Sequence, residues 1–169
     1  MKLFNMLKTA LEYETNIEKL YREGSQRIKD AAGSKIFSML ANEEMNHIKY
    51  LSDLLSHYEE HGEIRIDQIK EEQPKKKDII QEVSKIKSEI VDIKDDYSLS
   101  LLRKALEMEK KTTEFYKEMT STTDDDKLKA IFKEFLEIEE SHTLLVQAQI
   151  DAIIQNGYWF DFLEVSFDH

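Results

Sequence analysis

Cysteine is absent from this sequence of 169 residues. Disulfides, zinc ribbons, iron–sulfur clusters and thiol nucleophiles all depend on cysteine, so these residues can form none of them. Positive charge is also scarce: the sequence has 24 Lys and Arg but 35 Asp and Glu, which gives a formal net charge of −11. An acidic chain of this kind disfavours nucleic acid and anionic membranes as partners, and we expect neither.

Long hydrophobic runs are absent too. No apolar stretch approaches the roughly 20 residues that a membrane-spanning helix needs. The opening segment "MKLFNMLKTALEYE" lacks the apolar core of a signal peptide. The sequence therefore predicts a protein of the cytoplasm.

Glycine occurs four times and proline once, so few positions favour a turn. Charged residues make up 35% of the chain, a composition typical of long helices. Apolar residues recur with a period near 3.6 in four segments, which predict an all-α fold in one domain, 1–169. The predicted helices cover about residues 3–30, 35–61, 98–119 and 124–156. Ser34 is predicted to cap the second helix and Gly62 to end it.

A long connection, 63–96, separates the two pairs of helices and contains Pro74. Apolar residues between 79 and 93 could form a short amphipathic helix within it. A connection of this length in a compact domain needs a reason. A four-helix bundle whose second and third helices run parallel supplies one, because the chain must then cross the full length of the bundle. The aromatic tail, 158–169, is expected to pack against that bundle.

The two pairs of helices repeat each other at an offset of 95 residues. The segment "ALEYETNIEKLYRE" (10–23) aligns with "ALEMEKKTTEFYKE" (105–118), and without a gap "IFSMLANEEMNH" (36–47) aligns with "IFKEFLEIEESH" (131–142). Apolar matches are expected of any two core-facing helices. The chemically unusual matches are Glu14 with Glu109, Tyr21 with Tyr116, Glu44 with Glu139 and His47 with His142. The sequence therefore predicts a duplicated helical hairpin.

Helical spacing places these repeated polar residues on core-facing sides. Three residues advance a helix by about 300°, so the Glu and the His of each Glu-x-x-His point in similar directions. Inward carboxylates are costly unless they are paired or coordinated. Two metal ions would remove the repulsion among four of them, and carboxylate with imidazole suits iron, manganese or zinc. The predicted ligands are Glu14, Glu44, His47, Glu109, Glu139 and His142.

Ferritin-like di-metal proteins use one Glu from each of two helices and a Glu-x-x-His from each of the other two. Within that group the sequence most closely resembles the rubrerythrin family. In "LEMEKKTTEFYKEM" (106–119) the candidate ligand Glu109 is followed seven residues later by Tyr116. The resemblance covers about residues 3–156 and implies a ferritin-like four-helix bundle, with a long crossover between helices two and three, that holds two iron ions.

The resemblance also implies a role for each candidate residue. The two Glu-x-x-His glutamates, Glu44 and Glu139, would bridge the ions. Each ion would further bind one Glu and one His, in the pairs Glu14 with His47 and Glu109 with His142. Hydrogen bonds to the carboxylates would come from two tyrosines, Tyr21 and Tyr116.

The sequence departs from the family pattern in two ways. Rubrerythrins commonly carry a rubredoxin domain with four Cys ligands; without cysteine, the electrons would come from a separate donor protein. Many also carry a further ligand Glu one turn after the third-helix Glu, where this sequence has Thr112. The remaining six-ligand set equally resembles bacterioferritin, in which the position of Met45 holds a haem-ligating Met. We expect an ordinary half-buried Met there, because the repeat and the long crossover fit rubrerythrins better.

Two functions follow from these resemblances. The first is a homodimeric di-iron oxidoreductase that reduces peroxide or dioxygen, a role in oxidative stress. The alternative is a ferritin- or bacterioferritin-like ferroxidase that oxidises iron and stores or delivers it, which requires a shell-like assembly. A metal-bound structural or regulatory protein without turnover is a third option.

Overall fold

Four long α-helices make up most of the chain that the computed structural model describes, residues 3–77 and 96–156. Their bounds are α1 Leu3–Arg27, α2 Ala31–His61, α3 Asp96–Thr122 and α4 Asp126–Asn156. A short 3₁₀ helix, Ile66–Gln68, follows α2, and no strand occurs in these two ranges. The prediction of an all-α four-helix fold is confirmed.

The turn between α1 and α2 is shorter than predicted. Boundaries near residues 30 and 35 are wrong, since only residues 28–30 separate the two helices. Asp30, not Ser34, caps α2: its carboxylate accepts a 2.7 Å hydrogen bond from the backbone N–H of Gly33. That bond satisfies one of the amides that a helix N-terminus leaves unpaired. Ser34 Oγ instead donates to the carbonyl of Ser25 at 2.6 Å and ties α2 to α1.

Gly62 ends α2 as predicted. Its backbone has a left-handed φ of 73°, and its N–H donates to the carbonyl of Tyr58 at 2.8 Å. Glycine adopts this conformation without strain because it has no Cβ.

The turn between α3 and α4 also differs slightly from the prediction. α3 begins two residues before position 98 and extends to Thr122, and α4 begins at Asp126 rather than at residue 124. Asp125 caps α4, because its carboxylate accepts 2.9 Å hydrogen bonds from the backbone N–H groups of Lys127 and Leu128. Of the three consecutive aspartates, 124–126, the middle one is therefore the N-cap of α4.

Two apolar clusters fill the bundle. The first cluster draws on residues 17–21 of α1, Ile28 in the following turn, residues 32–41 of α2, 102–105 of α3 and 145–153 of α4. The second cluster draws on residues 6–10 of α1, 50–54 of α2, 115–119 of α3 and 128–135 of α4. Both α2 and α3 therefore run from the first cluster to the second, while α1 and α4 run the other way. Parallel α2 and α3 are what the long connection between them requires.

The described start of that connection, residues 63–77, bridges α2 and α4. Asp53 of α2 accepts hydrogen bonds from the backbone N–H groups of Lys70 at 2.5 Å and Glu71 at 3.1 Å. Glu134 of α4 accepts one from the backbone N–H of Lys76 at 3.1 Å. The segment thereby holds together two helices that are not neighbours in sequence.

Two predicted features lie outside the described residues. They are the amphipathic helix between 79 and 93 and the packing of the tail, 158–169. Among the helices that are described, none combines the length and the hydropathy that crossing a bilayer demands.

Candidate metal centre

A layer of buried polar side chains lies between the two apolar clusters. Each helix contributes to this layer where its apolar residues pass from one cluster to the other. The six predicted ligands all lie in it, each with 0% relative exposure: Glu14 on α1, Glu44 and His47 on α2, Glu109 on α3, and Glu139 and His142 on α4. The structure thus brings together every residue that the repeat singles out.

The local sequence puts each carboxylate in a core position of its helix. In α1 the buried side chains Leu7, Ala10, Glu14, Ile17 and Tyr21 follow alternating spacings of three and four residues. This spacing places all five on one face. The same pattern recurs in α3 in a second set of buried residues, Leu102, Ala105, Glu109, Thr112 and Tyr116. In both helices a glutamate therefore stands where an apolar residue would otherwise complete the core.

Three of the candidate carboxylates converge on His47. Its Nδ1 atom lies 2.9 Å from Glu44 Oε2, 3.1 Å from Glu14 Oε2 and 3.4 Å from Glu139 Oε1. One ligand atom from each of the four residues lies within 4.8 Å of all the others, close enough to hold a metal ion. We call this group the His47 position.

A second group converges on His142. Its Nδ1 atom lies 2.8 Å from Glu44 Oε1, 3.7 Å from Glu109 Oε1 and 3.9 Å from Glu139 Oε2. These four residues also satisfy the 4.8 Å criterion, and we call them the His142 position. Glu44 and Glu139 belong to both positions, so the two sites are adjacent and share two carboxylates.

Two tyrosines cross between α1 and α3 and donate to the carboxylates that are not shared. The hydroxyl of Tyr21 donates to Glu109 Oε1, and the hydroxyl of Tyr116 donates to Glu14 Oε1. Burial and the adjacent carboxylates raise the pKa of both tyrosines well above 10. Both phenols are therefore protonated at neutral pH and fix the orientation of a carboxylate, as outer partners of metal ligands do.

Burial dominates the electrostatics of the carboxyl groups. It raises the pKa of Glu14 to about 8 and that of Glu109 to about 7, although the nearby histidine opposes the rise in each case. Burial and the charges of the other three carboxylates raise the pKa of Glu139 well above its usual range. Burial acts in the same direction on Glu44, but the two histidines outweigh it and hold the pKa of Glu44 well below its usual range.

For the histidines, burial and the neighbouring charges act on the pKa in opposite directions. Burial alone would lower the pKa of His47 and of His142, but the surrounding carboxylates raise both. Without a cation, the layer consequently retains protons on groups that would otherwise be ligands. A metal ion would compete with those protons.

Several buried oxygens in the layer lack a hydrogen-bond partner. They include both oxygens of Glu44, both oxygens of Glu139 and one oxygen of Glu109. Some lie within ion-pair distance of a histidine nitrogen but outside hydrogen-bond geometry. Leaving a buried polar atom unpaired costs about 1–3 kcal/mol, so five such oxygens need a ligand. Two divalent cations would balance the charge of four carboxylates, and the set of oxygen and imidazole donors fits iron, manganese or zinc.

Other residues that the sequence singles out lie nearby but outside the two groups. Thr112 is fully buried one turn after Glu109, and its hydroxyl donates to the carbonyl of Met108 at 3.1 Å. Thr112 therefore contributes no carboxylate to the layer. Met45 is half-buried on α2.

An aromatic side chain that the sequence does not single out, Phe135, supports the layer. The ring of Phe135 is fully buried and meets that of His47 edge-on, with centroids 5.1 Å apart. It also stacks on the ring of Tyr116 at 5.1 Å. The residue that corresponds to Phe135 at the 95-residue offset is Leu40. Most other positions of these two segments also differ, so this mismatch gave no signal by which sequence reasoning could have found Phe135.

Comparison with known protein families gives one result. A family model described as Rubrerythrin matches residues 5–150. Comparisons with curated proteins and with solved structures found no match. The matched range includes all six candidate ligands and both tyrosines.

Proposed function

The chain belongs to the rubrerythrin family of di-iron carboxylate proteins, and from this premise we propose that it reduces peroxide or dioxygen with electrons from a separate donor protein. The observation that carries the proposal is the sharing of Glu44 and Glu139 between two adjacent metal-capable groups. A pair of ions is suited to a two-electron reaction, whereas a single structural ion would need only one of these groups.

In the proposed centre each residue has a definite task. Glu14 and His47 would hold one iron ion, and Glu109 and His142 would hold the other. The two shared carboxylates, Glu44 and Glu139, would bind both ions. Two adjacent irons, when bound, supply the two electrons that breaking an O–O bond requires.

Apolar clusters and tyrosines of the chain surround the proposed centre. The apolar clusters on either side of the layer exclude water from it. Tyr21 and Tyr116 hold phenolic protons against one oxygen each of Glu109 and Glu14, which fixes the orientation of both carboxylates. The second oxygen of Glu109 has no hydrogen-bond partner, and the second oxygen of Glu14 lies 3.1 Å from His47 Nδ1.

The source of electrons follows from composition. The 169 residues contain no cysteine and therefore no thiolate-bound iron of the rubredoxin kind. We propose an external donor protein, a homodimeric assembly and a cytoplasmic location. Sedimentation of the purified protein tests the assembly, since a dimer supports the proposal and a shell of many copies supports iron storage.

Rapid mixing of the anaerobically reduced, iron-loaded protein with each oxidant tests the activity. We expect oxidation by hydrogen peroxide to be faster than oxidation by dioxygen at equal concentration, with no uptake of iron beyond two ions per chain. The closed, fully buried set of six ligands is the reason, because storage needs a route along which further iron can pass. Faster oxidation by dioxygen together with continued iron uptake would contradict the proposal.

One observation favours ferroxidase and iron-handling activity as the second candidate. Thr112 occupies the position at which many rubrerythrins carry a further Glu, and its hydroxyl is engaged by the backbone. The site is then the symmetric six-ligand set that ferritin-like proteins share. Thr112→Glu separates the two functions: it should increase the preference for peroxide, whereas an unchanged preference would support iron handling.

A further inference from the structure

We infer that the two metal positions are unequal: the His47 position is preassembled and takes the first ion, and Phe135 is the positioning residue that keeps it so. The inference rests on the proposed function, because it assumes that the layer binds two ions. It adds an order of binding and assigns the cause to a side chain that touches no metal.

Distances between donor atoms carry the first step. Metal–ligand bonds of about 2.1 Å place adjacent donors roughly 3.0 Å apart in octahedral geometry and roughly 3.4 Å apart in tetrahedral geometry. At the His47 position the three distances from Nδ1 to carboxylate oxygens are 2.9, 3.1 and 3.4 Å, and none exceeds the tetrahedral separation. An ion can therefore enter this position with little movement of the chain.

The His142 position is more open. Its Nδ1 atom lies 2.8 Å from Glu44 but 3.7 Å from Glu109 and 3.9 Å from Glu139. The two longer distances exceed both ideal separations, so Glu109 and Glu139 must move inward before they can share an ion with His142. Moving ordered ligands costs free energy, and this cost lowers the affinity for the ion that binds there.

The packing around the two histidines explains the difference. Phe135 meets the ring of His47 at 5.1 Å and the ring of Tyr116 at 5.1 Å. Tyr116 in turn donates to Glu14, so one side chain restrains two of the four residues of the His47 position. The residue that corresponds to Phe135 at the 95-residue offset is Leu40, and an aliphatic side chain cannot orient an imidazole through ring contact.

A matched pair of ligand variants tests the order of binding. Metal-free, full-length protein is titrated with Co²⁺ without oxygen, and the two stepwise affinities are obtained by calorimetry for the parent, for Glu14→Gln and for Glu109→Gln. In the parent we expect the first ion to bind at least about tenfold more tightly than the second, the lower end of the effect of outer metal partners. Glu109→Gln should keep the tight first step, and Glu14→Gln should lose it.

Two results would overturn the inference. One is equal weakening of the first step by both variants, and the other is a tight first step that survives in Glu14→Gln but not in Glu109→Gln. A parent protein that binds fewer than two ions would instead contradict the proposed function. The two failures are thus distinguishable.

The role of Phe135 is tested by Phe135→Leu, which copies its counterpart Leu40, with Phe132→Leu as control. Both phenylalanines are fully buried on α4, but the ring of Phe132 packs on Tyr116 at 6.4 Å. Phe135→Leu should weaken the first step by about tenfold and leave the second unchanged, while Phe132→Leu should preserve the ratio of the two affinities.

A merely structural role for Phe135 would lower the melting temperatures of both variants without changing that ratio, and this result would overturn the assignment. If Phe135→Leu does not fold, Phe135→Tyr, which keeps the ring, should fold and retain the parent ratio. A Phe135→Tyr protein that has lost the tight first step would count against ring contact as the cause. The visible spectrum of the first Co²⁺ equivalent provides a second readout, since it changes with the ligand geometry of the occupied position.

Discussion

Glu44, like Glu139, belongs to both metal positions. Its Oε2 atom lies 2.9 Å from His47 Nδ1, and its Oε1 atom lies 2.8 Å from His142 Nδ1. Although burial opposes it, the two histidines hold the pKa of Glu44 well below its usual range. Glu44 is therefore the carboxylate of the layer that is ionised most readily, and it faces both sites at once.

Replacing Glu44 by Ala should remove both metal ions and the redox activity together. The bundle should still fold, because the two apolar clusters that pack the helices together are unchanged. Elemental analysis, peroxide-dependent oxidation and circular dichroism measure the three outcomes. Glu140→Ala is the matched control, since Glu140 is exposed beside the ligand Glu139 and should behave as the parent. Parent-like metal content in Glu44→Ala would show that Glu44 does not bridge.

At this scale the sequence singles out the residues that meet in the buried layer but not the residues that support them. The six ligands and two tyrosines stand out because Glu, His and Tyr match at a constant offset of 95 residues. Phe135 does not, because a Phe paired with a Leu differs only in shape, and its contact with His47 depends on how α2 and α4 pack. Such contacts are set by tertiary structure and leave no spacing pattern.

Among the elements, the N-terminus of α2 shows how packing selects a helix boundary. Asp30 and Ser34 are both good capping residues, and the sequence alone does not rank them. Ala32 and Gly33 between them are buried in the structure, and Ser34 Oγ bonds to the carbonyl of Ser25. Because the helix begins four residues before the predicted boundary, Ala32 and Gly33 belong to α2 and are buried. A helix that began after Ser34 would not include them.

We expect Asp30→Ala to lower the free energy of unfolding by about 1 kcal/mol, the usual cost of losing an N-cap. Asp30→Asn should cost much less, because an amide oxygen can still accept the bond from the N–H of Gly33. Urea unfolding of the metal-free proteins gives both values. Equal stability of Asp30→Ala and the parent would mean that the cap contributes nothing to the fold.

For the molecule as a whole, metal and protons compete for one buried layer. A carboxyl group whose pKa is higher in the folded chain binds more protons when folded, so stability falls as the pH rises between its two pKa values. For Glu14 this window runs from 4.5 to about 8, and for Glu109 from 4.5 to about 7. The raised pKa values of the two histidines act in the same direction above 6.5. The lowered pKa of Glu44 acts oppositely, but only below 4.5.

The metal-free protein should therefore lose stability as the pH rises from about 5 to about 8, since its folded state releases protons across this range. The metal-loaded protein should not, because bound ions replace those protons. Urea midpoints measured at intervals of pH, with chelator and with metal, make the comparison. Glu14→Gln should flatten the slope of the metal-free protein, and the exposed Glu12→Gln should leave it unchanged. A metal-free protein that gains stability with pH would contradict the electrostatics described above.

The overall arrangement of the bundle could also be inferred from sequence. A connection of more than 30 residues predicts parallel second and third helices, and the two apolar clusters show that α2 and α3 do run in the same direction. The path of the connection could not be inferred. Its described part is held by Asp53 and Glu134, which are exposed or half-buried acidic residues without any distinguishing pattern in the sequence.

The most direct test of a shared two-metal centre is X-ray absorption at the iron edge, combined with the iron content of the same loaded sample. We expect two iron ions per chain, with an iron–iron distance below about 4 Å, as in other two-metal sites. Glu44 and Glu139 can reach both ions only if the ions are this close. One ion per chain, or two ions without iron–iron scattering at such a distance, would contradict the shared centre.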